Sequence, residues 1–179
     1  MIGLPEIAGR PVESTDRRRF LSLYNHLFEH SPWVIERAWQ LGPFADAAAL
    51  HAAFVKVIAD ADAAEQIALA RAHPQLADKA AIAAGLTDSS AAEQSSAGLT
   101  RLTPEEFHAF HALNRAYLER FGFPFIICVR LHDKAGILAE MRKRLVRAPD
   151  QELAEALHQI GLIGRLRLAD VSVPMEAHR

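Results

Sequence analysis

The chain has 179 residues, 50 % of them hydrophobic, and its 20 basic and 22 acidic side chains leave a formal net charge of −2. That length suits one domain with a real core, no apolar run nears the ~18 residues of a membrane span, and the mild negative charge gives no general pull toward nucleic acid. The single cysteine excludes an intrachain disulfide framework, the N-terminus lacks a secretory pattern, and the terminal Ala-His-Arg is not the simple peroxisomal address, so a cytoplasmic protein is expected.

Helix signals follow from end to end. Asp16 caps a helix carrying Phe20, Leu23, Tyr24, Leu27 and Phe28 on an i, i+3, i+4 stripe. Ser31–Pro32 supplies the cap and first position of a second helix, which stops before Gly42–Pro43. Asp46 opens a third, with Leu50, Phe54, Val57 and Ile58 on one side. Asp62 and Glu65 stand as N-cap and N3 of a fourth, carrying Ile67 and Leu69, and Pro74 ends it near His73. A helix or looser coil follows to Gly85. Asp88 or Ser89 opens the segment that holds Glu93, and the Ala- and Ser-rich stretch from Ala80 to Ser96 is the expected flexible loop. Thr103-Pro104-Glu105-Glu106 starts a helix reaching about Phe121, and two more cover about Lys134 to Arg147 and Gln151 to Ala169. The pattern predicts an all-α fold: a single-domain helical bundle of about eight helices over 1–179, with its core at about 16–171 and no internal repeat.

One stretch departs from this pattern. Phe121 to Arg130 reads Phe-Gly-Phe-Pro-Phe-Ile-Ile-Cys-Val-Arg, almost wholly apolar after a polar-faced helix. Gly122 ends the helix by entering the left-handed region, and Pro124 pushes Phe123 into an extended conformation. A short extended segment near Phe123–Val129 is predicted, with its side chains buried. Its main-chain polar groups then need partners, either within the core or on a ligand.

Several side chains are candidates for chemistry. His73 sits where a helix stops and the chain turns; its unperturbed pKa near ~6.5 suits proton transfer, although a histidine there also suits the last helix carbonyls. Glu93 and Gln94 point about 100° apart on a helix, and Ser90 shares an edge with both. Such a carboxylate, amide and hydroxyl fit a molecule rich in urea-like N–H and C=O groups; they equally fit an ordinary polar helix face. The Ala97–Gly98 pair permits close approach of another element or a ligand. In the last helix Leu157, Ile160, Gly164, Leu168 and Val171 mark the buried face, which puts Arg167 at its edge and Arg165 further toward solvent. A half-buried arginine needs an anionic partner, either substrate or a structural carboxylate. The pairs His26/His30 and His108/His111 lack a third metal ligand, and Cys128 lies among apolar residues as a buried, inert thiol would. The basic runs Arg17 to Arg19 and Arg142 to Arg147 read as solvated helix faces.

Four segments, taken together, carry a family resemblance: His73-Pro74-Gln75-Leu76, Glu93-Gln94-Ser95-Ser96-Ala97-Gly98-Leu99, Phe121-Gly122-Phe123-Pro124-Phe125 preceded by Asn114 and Tyr117, and Gly164-Arg165-Leu166-Arg167-Leu168. In this order the chain resembles the 2-oxo-4-hydroxy-4-carboxy-5-ureidoimidazoline (OHCU) decarboxylases of urate breakdown, from about Phe20 to Val171. It departs at Gln75, where the family usually has Asp, and at Ala77–Asp78, where a Gly pair is common. The resemblance implies decarboxylation to (S)-allantoin and CO2 without metal or organic cofactor, by a homodimer. It implies His73 as general acid/base and Glu93 as the residue that orients it or holds the substrate hydroxyl. Pro74, Ser90, Gln94, the backbone around Phe125, Ile126 and Ile127, and Arg167 are the implied substrate-binding positions. The runner-up is a non-catalytic helical small-ligand-binding or interaction protein; charge disfavours a helical DNA-binding regulator.

Overall fold

The computed structural model of the chain describes residues 3–77 and 87–171, and among them every regular element is a helix. Eight α-helices are present there: α1 Arg17–Tyr24, α2 Pro32–Trp39, α3 Ala47–Asp60, α4 Ala63–Arg71, α5 Asp88–Ser96, α6 Pro104–Phe121, α7 Lys134–Arg144 and α8 Pro149–Asp170. A 3-10 helix covers Val129–Leu131, and 124–128 has neither helix nor strand. From 78 onward the expected coil or helix up to Gly85, and with it the first part of the expected flexible loop, lie outside the described residues. The remainder of that loop is helix α5. It opens at Asp88, as expected, and Thr87 before it is the cap, with the hydroxyl accepting from the Ser90 N–H at 3.3 Å.

The chain divides into two compact units, one of 4–66 with 161–179 and one of 67–160 with the first three residues. In the first, Asp16 and Asp46 cap α1 and α3 as predicted, accepting from the Arg19 and Ala49 N–H groups. Leu50, Phe54, Val57 and Ile58 are all buried. Helix α1 stops at Tyr24, one turn before the end of its apolar stripe. Leu27 and Phe28 are buried all the same, but from a turn in which the Leu27 N–H reaches Tyr24 O and the Ser31 N–H reaches Phe28 O. Burial and helix are separate outcomes of one apolar pattern, and here only the first extends past Tyr24. Ser31 precedes α2 without making a side-chain capping bond. Gly164 is required by space: a Cβ there would lie 2.8 Å from Phe28 Cζ, whose ring packs edge-on against Phe54.

His51 on α3 has Nε2 2.9 Å from the Gly161 carbonyl, so that nitrogen carries the proton and donates. Burial, aided by the positive charge of Arg165, holds the imidazole below its ordinary pKa, against the pull of the Gly161 carbonyl. The native state therefore binds fewer protons than the unfolded chain once the pH falls below about 6.5, and stability drops as the pH moves down toward the native value. His51→Gln keeps a donor and removes the titration. Thermal melts from about pH 7.5 to pH 5 should show a shallower loss of Tm for the variant; an unchanged slope would refute the assignment.

In the second unit, Thr103 and Glu106 form a reciprocal capping box at the start of α6. Gly122 closes that helix at φ 72°, with its N–H on Leu118 O. Helix α7 ends at Arg144, short of the expected Arg147. Its buried stripe is Ile137, Met141 and Arg144. Arg144 is therefore no solvated basic residue. Only 1 % exposed, it donates from Nε to Oε1 of Glu152, itself fully buried, at 2.9 Å. The Tyr117 hydroxyl donates to the same oxygen.

Candidate active site

His73 follows the last turn of α4, where Pro74 cannot continue the helix. It is buried, and Nδ1 lies 3.2 Å from Leu69 O. A carbonyl only accepts, so Nδ1 carries a proton, and in the neutral form of the ring the lone pair lies on Nε2. The contact with a late helix carbonyl is thus made, and it fixes the tautomer of the neutral ring.

The segment after His73 is gripped from two helices. Gln94 of α5 accepts the Ala77 N–H at 3.0 Å and donates to Gln75 O at 3.4 Å. Asn114 of α6 donates to Leu76 O at 2.7 Å. From α4 itself, Arg71 Nε donates to the carbonyl of Gly122, the residue that ends α6 within the apolar run. Ser90 and Gln94 lie one turn apart on the buried side of α5, with Glu93 half-buried beside them. The fold therefore assembles His73–Pro74 with the Ser90–Gln94 face of α5, and α5 packs against the 3-10 helix that ends the apolar run. Gly98 owes its place to φ 76°, which ends α5, and not to close approach; a Cβ would meet only Lys134 at 3.7 Å.

Phe125, Ile126 and Ile127 are 1–3 % exposed, as the sequence predicts. Arg144 Nη1 donates to Ile126 O at 2.9 Å, and Gln159 accepts the Cys128 N–H at 2.9 Å. Among the described residues, the N–H groups of Ile126 and Ile127 meet no acceptor. A cavity of about 490 Å³ opens at Ala77, Leu99, Phe107 and His108, but none of the expected site residues lines it.

Arg167 belongs to the other unit. It is 4 % exposed, pairs with the buried carboxylate of Glu29 at 2.9 Å, and donates to Leu27 O. Periodicity put it at the edge of the buried face; the end of α8 is in fact covered on more sides. Gly161, Ile163, Leu166 and Arg167 are buried there, while Leu157 and Val171 are only half-buried. Arg165 is correspondingly less exposed than predicted and donates to Pro5 O at 3.0 Å. His26 and His30 are exposed and lie past the end of α1, so no helix aligns them. No group of three His, Cys, Asp or Glu suited to a metal occurs among the described residues. Cys128 is buried.

Sequence reading missed Arg71 and Arg144, and assigned no role to Asn114. A signal for Arg144 existed. It continues the Ile137–Met141 spacing, and Glu152 sits on the Ala156–Ile160 stripe of α8, so two opposite charges fall on two apolar faces.

Ala77 has φ 57°, the left-handed region that favours glycine. Ala77→Gly relieves roughly 1–2 kcal/mol of strain against about 0.5–1 kcal/mol of added unfolded-state entropy. Urea unfolding should show equal or slightly higher stability; a loss above about 1 kcal/mol would contradict the strain.

A family model described as OHCU decarboxylase matches residues 13–169. The chain belongs to the OHCU decarboxylase family. Family members of similar length include a 2-oxo-4-hydroxy-4-carboxy-5-ureidoimidazoline decarboxylase from Halalkalicoccus jeotgali, 35 % identical over 165 residues and 92 % of each chain. The uric acid degradation bifunctional protein PucL of Bacillus subtilis is 36 % identical over 160 residues, which cover 89 % of this chain and 32 % of PucL. Among solved structures, an (S)-allantoin synthase superposes with a TM-score of 0.66 at 27 % identity, over 88 % of this chain and 51 % of that one. An OHCU decarboxylase crystallised in the presence of (S)-allantoin gives 0.67 at 21 % identity, over 82 % and 94 %, which shows the shared fold.

Proposed function

We propose that this protein is a carboxy-lyase that converts OHCU to (S)-allantoin and CO2 in urate breakdown. The observation that carries this is the family match, which extends from 13 to 169 and so spans every segment quoted above. Because it passes through both compact units, we take 1–179 as one enzyme domain.

The chemistry needs no cofactor. As the carboxylate leaves as CO2, its bonding pair forms a double bond to the ureido-bearing ring carbon, and the adjacent ring C=N pair moves onto nitrogen, which takes up a proton. The resulting enol loses its hydroxyl proton to become a carbonyl, and a proton arrives at the ureido-bearing carbon. Delivery to one face sets the S configuration. The protein's tasks are positioning, charge stabilisation and proton handling. His73 is the general acid/base through Nε2, consistent with its fixed tautomer. Glu93 orients it or holds the hydroxyl, and Pro74 and Ser90 contact the substrate. Gln94, whose amide already grips the 75–77 backbone, offers its second N–H to the ureido or ring amide. The buried Ile126 and Ile127 N–H groups suit ring oxygens, and the Phe125 side chain excludes water. Arg167 binds an anionic oxygen of the substrate in addition to Glu29.

Freshly generated substrate should release CO2 and give a one-signed circular dichroism band on addition of the protein. A non-catalytic binder would only slow spontaneous decay, and racemic product would end the proposal. Activity surviving exhaustive chelation checks the absence of a metal. We place the active species in the cytoplasm as a homodimer, which fractionation and light scattering at assay concentration would test. No described helix is long and apolar enough to cross a membrane.

A further inference from the structure

We propose that Arg144 is a positioning residue for this reaction: by holding the Ile126 carbonyl it fixes and polarises the N–H of the same peptide group, on Ile127, as a donor to the substrate. The inference rests on the decarboxylase reading and goes beyond it, to a residue whose side chain is turned into the core.

Arg144 divides its guanidinium between two tasks. Nε and Nη2 both donate to Glu152 Oε1, at 2.9 and 2.5 Å, while Nη1 donates to Ile126 O. The guanidinium carbon also lies 4.5 Å over the Phe125 ring. Glu152 is held in turn by Tyr117, and its other oxygen is 3.6 Å from Arg147 Nη1. Burial and the neighbouring carboxylate push the Tyr117 phenol above its ordinary pKa, so it stays a donor. One chain of contacts thus runs from Tyr117 through Glu152 and Arg144 to a single main-chain carbonyl.

Stability alone does not account for this arrangement. A buried ion pair is no more stabilising than well-packed apolar residues of the same volume. What an apolar pair cannot do is pin a carbonyl in the middle of Phe-Ile-Ile-Cys. A cation on a peptide oxygen draws electron density through the amide and strengthens its N–H as a donor. Cys128 N–H is already taken by Gln159. The Ile127 N–H, on the polarised peptide, meets no acceptor among the described residues, and a buried donor needs a partner, which a bound substrate oxygen would supply.

The test uses the full chain and freshly generated OHCU. Arg144→Lys keeps a charge beside Glu152 but cannot fork to Ile126. The double variant Arg144→Met/Glu152→Leu removes both charges and leaves none unpaired. Each should lower kcat/KM about 10- to 100-fold, with KM raised and the loss present per folded molecule, the range for a reacting partner displaced by up to ~1 Å. A merely structural role would lower the folded fraction and Tm but leave KM and kcat per folded molecule unchanged. Titrating 15N-labelled wild-type protein with (S)-allantoin gives a readout independent of any variant: the Ile127 amide proton should move downfield. A folded double variant with wild-type constants overturns the proposal. So does an Ile127 amide that ignores the product in an active wild-type enzyme, and this decides the matter if neither variant folds. A wild-type chain that does not decarboxylate OHCU would instead refute the functional reading beneath it.

Discussion

His73→Ala will lower kcat/KM for OHCU by about 10²–10⁴-fold, the usual contribution of a general acid/base, and will leave the helical fold in place. The geometry supports both halves. Leu69 O fixes the proton on Nδ1, so the ring presents one defined basic nitrogen. The backbone around it does not depend on the imidazole, because Gln94, Asn114 and Arg71 hold the 75–77 and Gly122 main chain from outside. Glu93→Ala should act in the same direction. Steady-state kinetics beside far-UV circular dichroism decide it. Turnover near wild type in His73→Ala would remove the acid/base role, while a collapsed spectrum would show that the loop depends on the side chain after all.

Glu152→Ala is expected to cost about 3–5 kcal/mol of folding stability, the range for breaking a buried ion pair from one side. Against a total of roughly 5–15 kcal/mol for a domain, that is a large fraction. Arg144 would remain a buried cation without its carboxylate, and the Tyr117 hydroxyl would lose its acceptor. The penalty comes from the stranded charge, so Arg144→Met/Glu152→Leu should cost much less than Glu152→Ala alone. Equilibrium urea unfolding of the three proteins measures the coupling. Equal or additive losses would mean that the charge is rehydrated on mutation, and that the cluster is less tightly enclosed than its 1 % and 0 % exposures indicate.

Much of the candidate site was legible because it is written in local segments. His-Pro at a helix end, a Ser/Glu/Gln edge on α5 and Phe-Gly-Phe-Pro-Phe each depend on neighbours within a few residues. Capping by Asp16, Asp46 and Thr103 and the left-handed Gly122 followed from single side chains, because a cap or a φ above zero is a local chemical requirement. Composition, lacking a long apolar run or a disulfide set, together with 3.6-residue periodicity, determined the all-α class.

Tertiary structure decided what those segments are tied to. The partners of the Ile126 carbonyl and the Gln75–Ala77 backbone come from 17 to 38 positions away. No local pattern states which distant side chain will reach a given main-chain group. Arg144 shows the limit most clearly. In sequence it is one basic residue in a basic run, and a charge is by default solvated. Whether it is buried depends on Glu152 and Tyr117 arriving opposite it, which only the packing of α6, α7 and α8 brings about. Helix lengths at α1 and α7 fell on the same side of the line. An apolar stripe says that side chains will be buried, while the turn that lets the next helix pack decides whether the backbone carrying them is still helical.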